Sequence, residues 1–239
     1  MKERIRQYKK EFSYSYTLGA YPTIEMLLAC PELIIKVYYR SNHIDTDGLF
    51  QLCGKVNISI ECDDSVFKRL NLKDNVYVLG LFHKFSRKLS SDAPHVVLIN
   101  PSDMGNLGTV IRTMAGLNFL DLGIITPTSD VWNPKTVRAS MGSIFRLNIE
   151  HFDSFECYSE NYIQHEFYPF MLDGKVELPD IDYPKNNRFS LIFGNEATEL
   201  PKSYHQIGTS VKLPQSMLVD SLNLAVATGI GMFWFANRK

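Results

Sequence analysis

SVKLPQSMLVDSLNLAVATGIGMFWFA, residues 210–236, reads as a short strand ending at Pro214, a polar loop, and a long apolar helix from about Leu222 to Phe235. Asp220 or Ser221 opens the helix. Ser221 and Asn223 set a hydroxyl and an amide at its start, and an asparagine inside an otherwise apolar stretch needs a partner if it is buried.

Two earlier stretches follow the same plan. In VVLINPSDMGNLGTVIRTMAG, residues 96–116, an apolar strand runs into a turn of Asn, Pro, Ser, Asp and Gly, then an amphipathic helix with Asn106 near its amino end and Arg112 further along. In SLIFGNEATEL, residues 190–200, Gly194 ends a hydrophobic strand and allows close backbone approach, with Asn195 and Glu196 following in a sharp turn. Taken singly, these are a surface arginine, an ordinary strand-to-helix turn and a helix cap. Together they put polar residues at the carboxyl ends of three apolar strands, where open α/β sheets place their ligands.

Outward from these loops, HVVLI, LGIIT, IFRLNI, YPFML, SLIFG and SVKLP read as strands separated by helix-length stretches. That alternation predicts a mostly parallel sheet with helices on both faces over residues 89–239. The polar segment KFSRKLSSDAP, residues 84–94, marks a boundary. In front of it, residues 1–88 alternate short apolar runs with helical patterns, as a small α/β domain does, and Asp63 or Asp64 caps a helix. The opening MKERIRQYKKEF aligns Ile5, Tyr8 and Phe12 on one stripe and reads as a basic amphipathic helix.

Composition is that of an ordinary globular protein, 45% hydrophobic and 21% charged over 239 residues. The net charge is −1, but residues 1–88 hold fourteen Lys and Arg against ten Asp and Glu, and the remainder eleven against sixteen. A basic module ahead of an acidic one suits RNA contact by the first part. Apolar runs stop far short of the roughly 20 residues of a membrane span, and no secretory pattern opens the chain, so the expectation is a cytosolic protein. Four cysteines at wide spacing suggest reduced, mostly buried thiols rather than a disulfide or zinc framework. The dinucleotide, nucleoside-triphosphate and zinc-protease boxes are absent, since Gly105 and Gly108 are wrongly spaced and Gly229 and Gly231 form only a bare G-x-G in the last helix.

The segments NPSDMGNLGTVIRT, LIFGNEATEL and KLPQSMLVDSLNLAVA resemble, in order and spacing, the three signature motifs of the SpoU/TrmH family of SPOUT methyltransferases. The resemblance covers about residues 95–236 and implies a trefoil-knotted α/β domain that transfers methyl from S-adenosylmethionine to a ribose 2′-hydroxyl of structured RNA, without a metal. Ribosomal RNA is favoured over transfer RNA. It implies cofactor contacts at Gly194, Asn195, Leu213, Pro214, Leu222 and Asn223, and reaction roles for Asn106, Arg112, Glu196, Ser221 and Asn223. It also implies a homodimer through the knotted domain, with an active site built from both subunits. The family usually has glycine after the second-motif glutamate, whereas this chain has Ala197. A knotted RNA-binding or assembly protein without catalysis is the rival reading, distinguished by RNA binding with no methyl transfer.

Overall fold

The computed structural model describes residues 5–45, 47–195 and 198–237. They form two compact units, one holding the described residues up to Phe85 together with Asp130–Arg146, the other Ser86–Ser129 and the described residues from Leu147 on.

The first unit runs β1 (Tyr14–Tyr16), α1 (Ala20–Ala29), β2 (Ile34–Tyr39), α2 (Leu49–Lys55), β3 (Ile60–Cys62), α3 (Asp64–Arg69) and β4 (Val78–His83). Its sheet has the order β1-β4-β2-β3, with β2 and β3 parallel and the other pairs antiparallel. Asp63 caps α3, its carboxylate accepting from the Ser65 amide at 2.9 Å. The expected amino-terminal helix does not form. Met1 to Arg4 lie outside the described residues, and 5–13 run as turns and irregular chain. Side chains take over the role of helical hydrogen bonds here. The Tyr8 amide donates to the Tyr16 hydroxyl at 3.2 Å, and the Tyr8 hydroxyl donates to Asp130. The apolar stripe keeps its purpose, since Ile5 is buried and Phe12 stacks on Tyr14.

The second unit begins with β5 (His95–Ile99), α4 (Met104–Gly116) and β6 (Asp121–Ile125). The chain then returns to the first unit with α5 (Pro134–Ala139), an excursion that a linear reading with one boundary does not contain. There the Ser15 hydroxyl donates to the Trp132 carbonyl at 2.5 Å, and Phe145 meets Phe82 edge-on at 5.0 Å. That packing explains why the expected strand IFRLNI starts late. Ile144 and Phe145 are buried in a 3-10 turn, and β7 covers Asn148–Phe152.

The remaining elements are α6 (Phe155–Asn161), β8 (Glu166–Pro169), β9 (Val176–Glu177), β10 (Phe189–Phe193), β11 (Val211–Lys212) and α7 (Leu224–Asn237). The main sheet has the order β7-β6-β5-β10-β8 and is parallel throughout. β10 thus pairs with β5 in the middle, although about ninety residues separate them, and β9 with β11 forms a second, two-stranded parallel sheet. The helix α7 is 14 residues long, and no described helix is long and apolar enough to cross a membrane. Its Gly231 is a packing feature, because a Cβ there would stand 2.8 Å from Phe170, which stacks on Phe193. Cys30 and Cys53 are buried as expected, but Cys62 and Cys157 are exposed.

A buried polar chain ties the amino ends of the central strands. His95 Nδ1 accepts from the Tyr158 hydroxyl at 2.8 Å while Nε2 faces the Ser90 carbonyl at 2.7 Å. Tyr158 also meets Ser190 at 2.6 Å, and His165 meets Ser190 at 2.9 Å. Burial, with His165 alongside, holds His95 down at about 3, and burial lowers His165 as well. Both imidazoles therefore stay neutral when folded but take up protons near pH 6.5 when unfolded. The stability they contribute is complete above that pH and falls as pH drops below it, for His95 down to about 3. The slope is about 1.4 kcal/mol per pH unit for each fully shifted histidine. Urea unfolding at pH 5.0 is expected to show stability on the order of 2 kcal/mol below that at pH 7.5 from His95 alone. A flat profile between those values would contradict the arrangement.

Candidate active site

The carboxyl ends of the neighbouring strands β5 and β10 each open into a polar turn. After β5, Asn100 takes a left-handed φ of 51°, a conformation asparagine tolerates better than most residues. Asp103 then caps α4, accepting from the Asn106 amide at 2.7 Å. After β10, the Asn195 side-chain amide donates to the Asn100 carbonyl, so the two turns are joined. Gly194 permits a close return of the chain, since a Cβ there would lie 3.0 Å from the Leu200 amide nitrogen. Glu196 and Ala197 lie outside the described residues.

The third loop follows β11. The Gln215 amide donates to the Asp220 carbonyl at 3.1 Å, and Met217 and Leu218 stand almost fully exposed. The helix it feeds starts at Leu224, and its cap is Asn223 rather than Asp220 or Ser221. Asn223 Oδ1 accepts from the Ala225 amide at 2.9 Å, and its Nδ2 donates to Asn106 Oδ1 at 3.0 Å. One side chain therefore closes a helix end and links two loops 117 residues apart. The bond brings the amino ends of α4 and α7 together, where the aligned helix dipoles favour negative charge.

The turns after β10 and β11, with the chain after β8 and the start of α7, enclose a cavity of about 210 Å³. Of the residues the sequence singled out, Gly194, Asn195, Leu213, Ser221 and Leu222 line it. Pro214, Asn106 and Asn223 do not line it, the two asparagines meeting each other beside Leu222 instead. Arg112 is exposed on α4, outside the cavity and without a hydrogen bond or ion pair among the described residues. Phe170, Met171 and Leu172 form a wall that the sequence reading missed. They were taken as strand, but β8 ends at Pro169, and Phe170 leaves the sheet to bridge Val211. Only their position after a strand end signalled a site, for they carry no polar group.

Apolar walls, free backbone edges and a few polar groups fit a nucleoside with an aliphatic charged tail such as S-adenosylmethionine. Gly194 contributes to the cavity's shape by letting the chain return within 3.0 Å at Leu200, another lining residue.

The sequence pattern of the SpoU rRNA Methylase family matches residues 93–233. A Bacillus subtilis 23S rRNA guanosine 2′-O-methyltransferase is 32% identical over 161 residues, 64% of this chain and 62% of its own length. The chain therefore spans less than two thirds of that relative. An AdoMet-bound rRNA methyltransferase from Sinorhizobium meliloti superposes with a TM-score of 0.76 at 26% identity, covering 93% of this chain and 87% of its own. A structure concerned with the 2-OH methylation of C/U34 on tRNA has a TM-score of 0.55 at 28% identity, covering 61% of this chain and 95% of its own.

Proposed function

Because the chain belongs to the SpoU rRNA Methylase family, we propose that it transfers the methyl group of S-adenosylmethionine to a ribose 2′-hydroxyl of RNA. The observation that carries this is the convergence of the turns after β10 and β11 on one cavity, with the Asn106–Asn223 bond tying the turn after β5 to the start of α7. When bound, S-adenosylmethionine supplies a methyl already activated by a sulfonium, leaving the protein to align the attacking oxygen and manage its proton.

Gly194, Asn195, Leu213 and Leu222 hold the donor, with backbone groups at these turns reading the adenine, and Pro214 stiffens the exit from β11. Ser221, Asn106 and Asn223 orient the ribose, with Glu196 assigned there from the motif alone. Arg112 binds the adjacent phosphate and stabilises charge developing on the ribose oxygen. The planar fork of N–H donors on a guanidinium suits that role.

Arg112 reaches the reaction from a second copy of the chain. Supporting this, α4 and α7 expose an apolar face at Leu117, Val226, Ile230 and Phe233, with Phe233 61% exposed. Phe233→Glu is expected to convert a dimer to a monomer in light scattering and to abolish most methyl transfer. A variant that is monomeric yet fully active would remove the shared site. The trefoil knot is supported by the tight passage of 208–212 against 167–174, where a Cβ on Gly208 would lie 2.1 Å from the Phe167 carbonyl oxygen and one on Gly174 2.4 Å from Val211.

Ribosomal RNA is the substrate favoured over transfer RNA. The rRNA-type neighbour matches nearly the whole chain, whereas the tRNA-type one matches 61% of it. The basic excess of residues 1–88 suits RNA binding by the first unit, and such a substrate places the reaction in the cytoplasm.

The test is transfer of labelled methyl from S-adenosylmethionine to unmodified total RNA, followed by nucleoside analysis. Label in a 2′-O-methyl nucleoside of the ribosomal fraction is expected. Label on a base would overturn the reaction class, and donor binding without transfer would favour the non-catalytic reading.

A further inference from the structure

The first unit holds a cavity of about 450 Å³ that the methyl-transfer site does not use. This lies within the roughly 300–1,000 Å³ of small-ligand pockets. Asn42, His43 and Asp47 line it from the turn after β2, and Asn75 and Tyr77 from the approach to β4.

Its hydrogen-bonding groups are unspent. His43 Nε2 is buried and has no partner among the described residues. The ring is wedged near Tyr39 at 6.3 Å and Phe50 at 6.1 Å, which themselves lie 4.7 Å apart. Packing therefore limits any swing of the imidazole toward solvent. The imidazole thus stands as a fixed part of the cavity wall. Asn42, Asp47 and Asn75 likewise make no side-chain hydrogen bond among the described residues. Tyr77 is 41% exposed and offers a ring for stacking.

Among the described residues the lining contains no lysine or arginine. The Arg40 guanidinium, three residues before His43, is committed to the Val76 carbonyl at 2.8 Å and lies over the Phe67 ring. Such a site does not select a phosphate. Aromatic faces beside amides, an imidazole and one carboxylate match an unpaired nucleobase, the form in which proteins read RNA sequence. Guanine is the base that presents two adjacent N–H donors on its Watson–Crick edge, at N1 and N2, and these are what a carboxylate accepts in a paired fashion.

Resting on the reading of the chain as an RNA methyltransferase, we propose that this cavity receives an unpaired guanine of the RNA substrate. Asp47 accepts from N1–H and N2–H, and Tyr77 stacks on the base, with the His43 ring in the cavity wall beside them. The site selects RNA, and methyl transfer occurs in the second unit.

The test uses the full chain saturated with S-adenosylhomocysteine, so that the donor cavity is blocked, titrated separately with GMP, AMP, CMP and UMP while the His43 imidazole signals are followed by NMR. GMP is expected to shift them at concentrations at least about tenfold below the other three, and Asp47→Asn to remove that preference, as loss of one paired contact of 1–3 kcal/mol would. In methylation assays Asp47→Asn is expected to raise the KM for RNA about tenfold, with S-adenosylhomocysteine affinity unchanged. No response to any nucleotide, an equal response to all four, or a preference that survives Asp47→Asn would overturn the proposal. If the methyltransferase reading itself fails, label transfer is lost while the GMP response at His43 persists, so the two failures separate.

Discussion

Arg112→Lys lowers the turnover of RNA methylation by about 10²–10³, the cost typical of removing one preorganised donor from a developing oxyanion, while donor affinity changes by less than about twofold. The side chain is exposed and makes no hydrogen bond or ion pair among the described residues, so its replacement has little to disturb in the fold. It does not line the donor cavity, so donor affinity has no reason to follow it. What lysine cannot supply is the planar fork that engages a phosphate and a neighbouring oxygen together. Rapid-quench turnover beside donor titration measures both quantities. Near-normal turnover in the lysine variant would exclude every role that needs a guanidinium. Mixing Arg112→Ala with Asn223→Ala protein should restore activity if the two residues serve one site from different copies, and no restoration would place both in the same copy.

Gly208→Ala is expected to destabilise the protein by about 3 kcal/mol or more, toward the upper end of what overpacking costs. A Cβ at 208 would sit 2.1 Å from the Phe167 carbonyl oxygen and 2.9 Å from its carbonyl carbon. Both obstacles are backbone, and the Thr209 amide donates to that same carbonyl at 3.0 Å, so the crossing cannot open without losing a hydrogen bond. Chemical denaturation read by near-ultraviolet circular dichroism gives the answer. A variant within about 1 kcal/mol of the parent would show that the two segments separate more readily than their spacing implies.

The parallel sheet was legible because each strand carries a continuous apolar run, as β5 and β10 do, and because polar turns punctuate them. Much of the candidate site was legible for the same reason, Gly194, Leu213, Ser221 and Leu222 all meeting at one cavity. What escaped depended on contacts distant in sequence. Asn223 could not be recognised as both cap and link without knowing that Asn106 stands opposite. The stripe of Ile5, Tyr8 and Phe12 satisfies a helix, but hydroxyls from Tyr14 and Tyr16 reach the Arg6 and Tyr8 amides and hold another conformation. Phe145 looked like a strand residue until Phe82 claimed it.

The division of the chain also bears on its birth at the ribosome. The segment that completes the first unit ends at Arg146, whereas the second places β10, Phe189–Phe193, between β5 and β8. A nascent chain can therefore finish the first unit while the second still waits for its middle strand, with β5 leaving an unsatisfied edge until then. Synthesis thus presents a complete first unit and exposes an unfinished parallel sheet for the interval of about forty further residues, the period in which a chaperone would matter most.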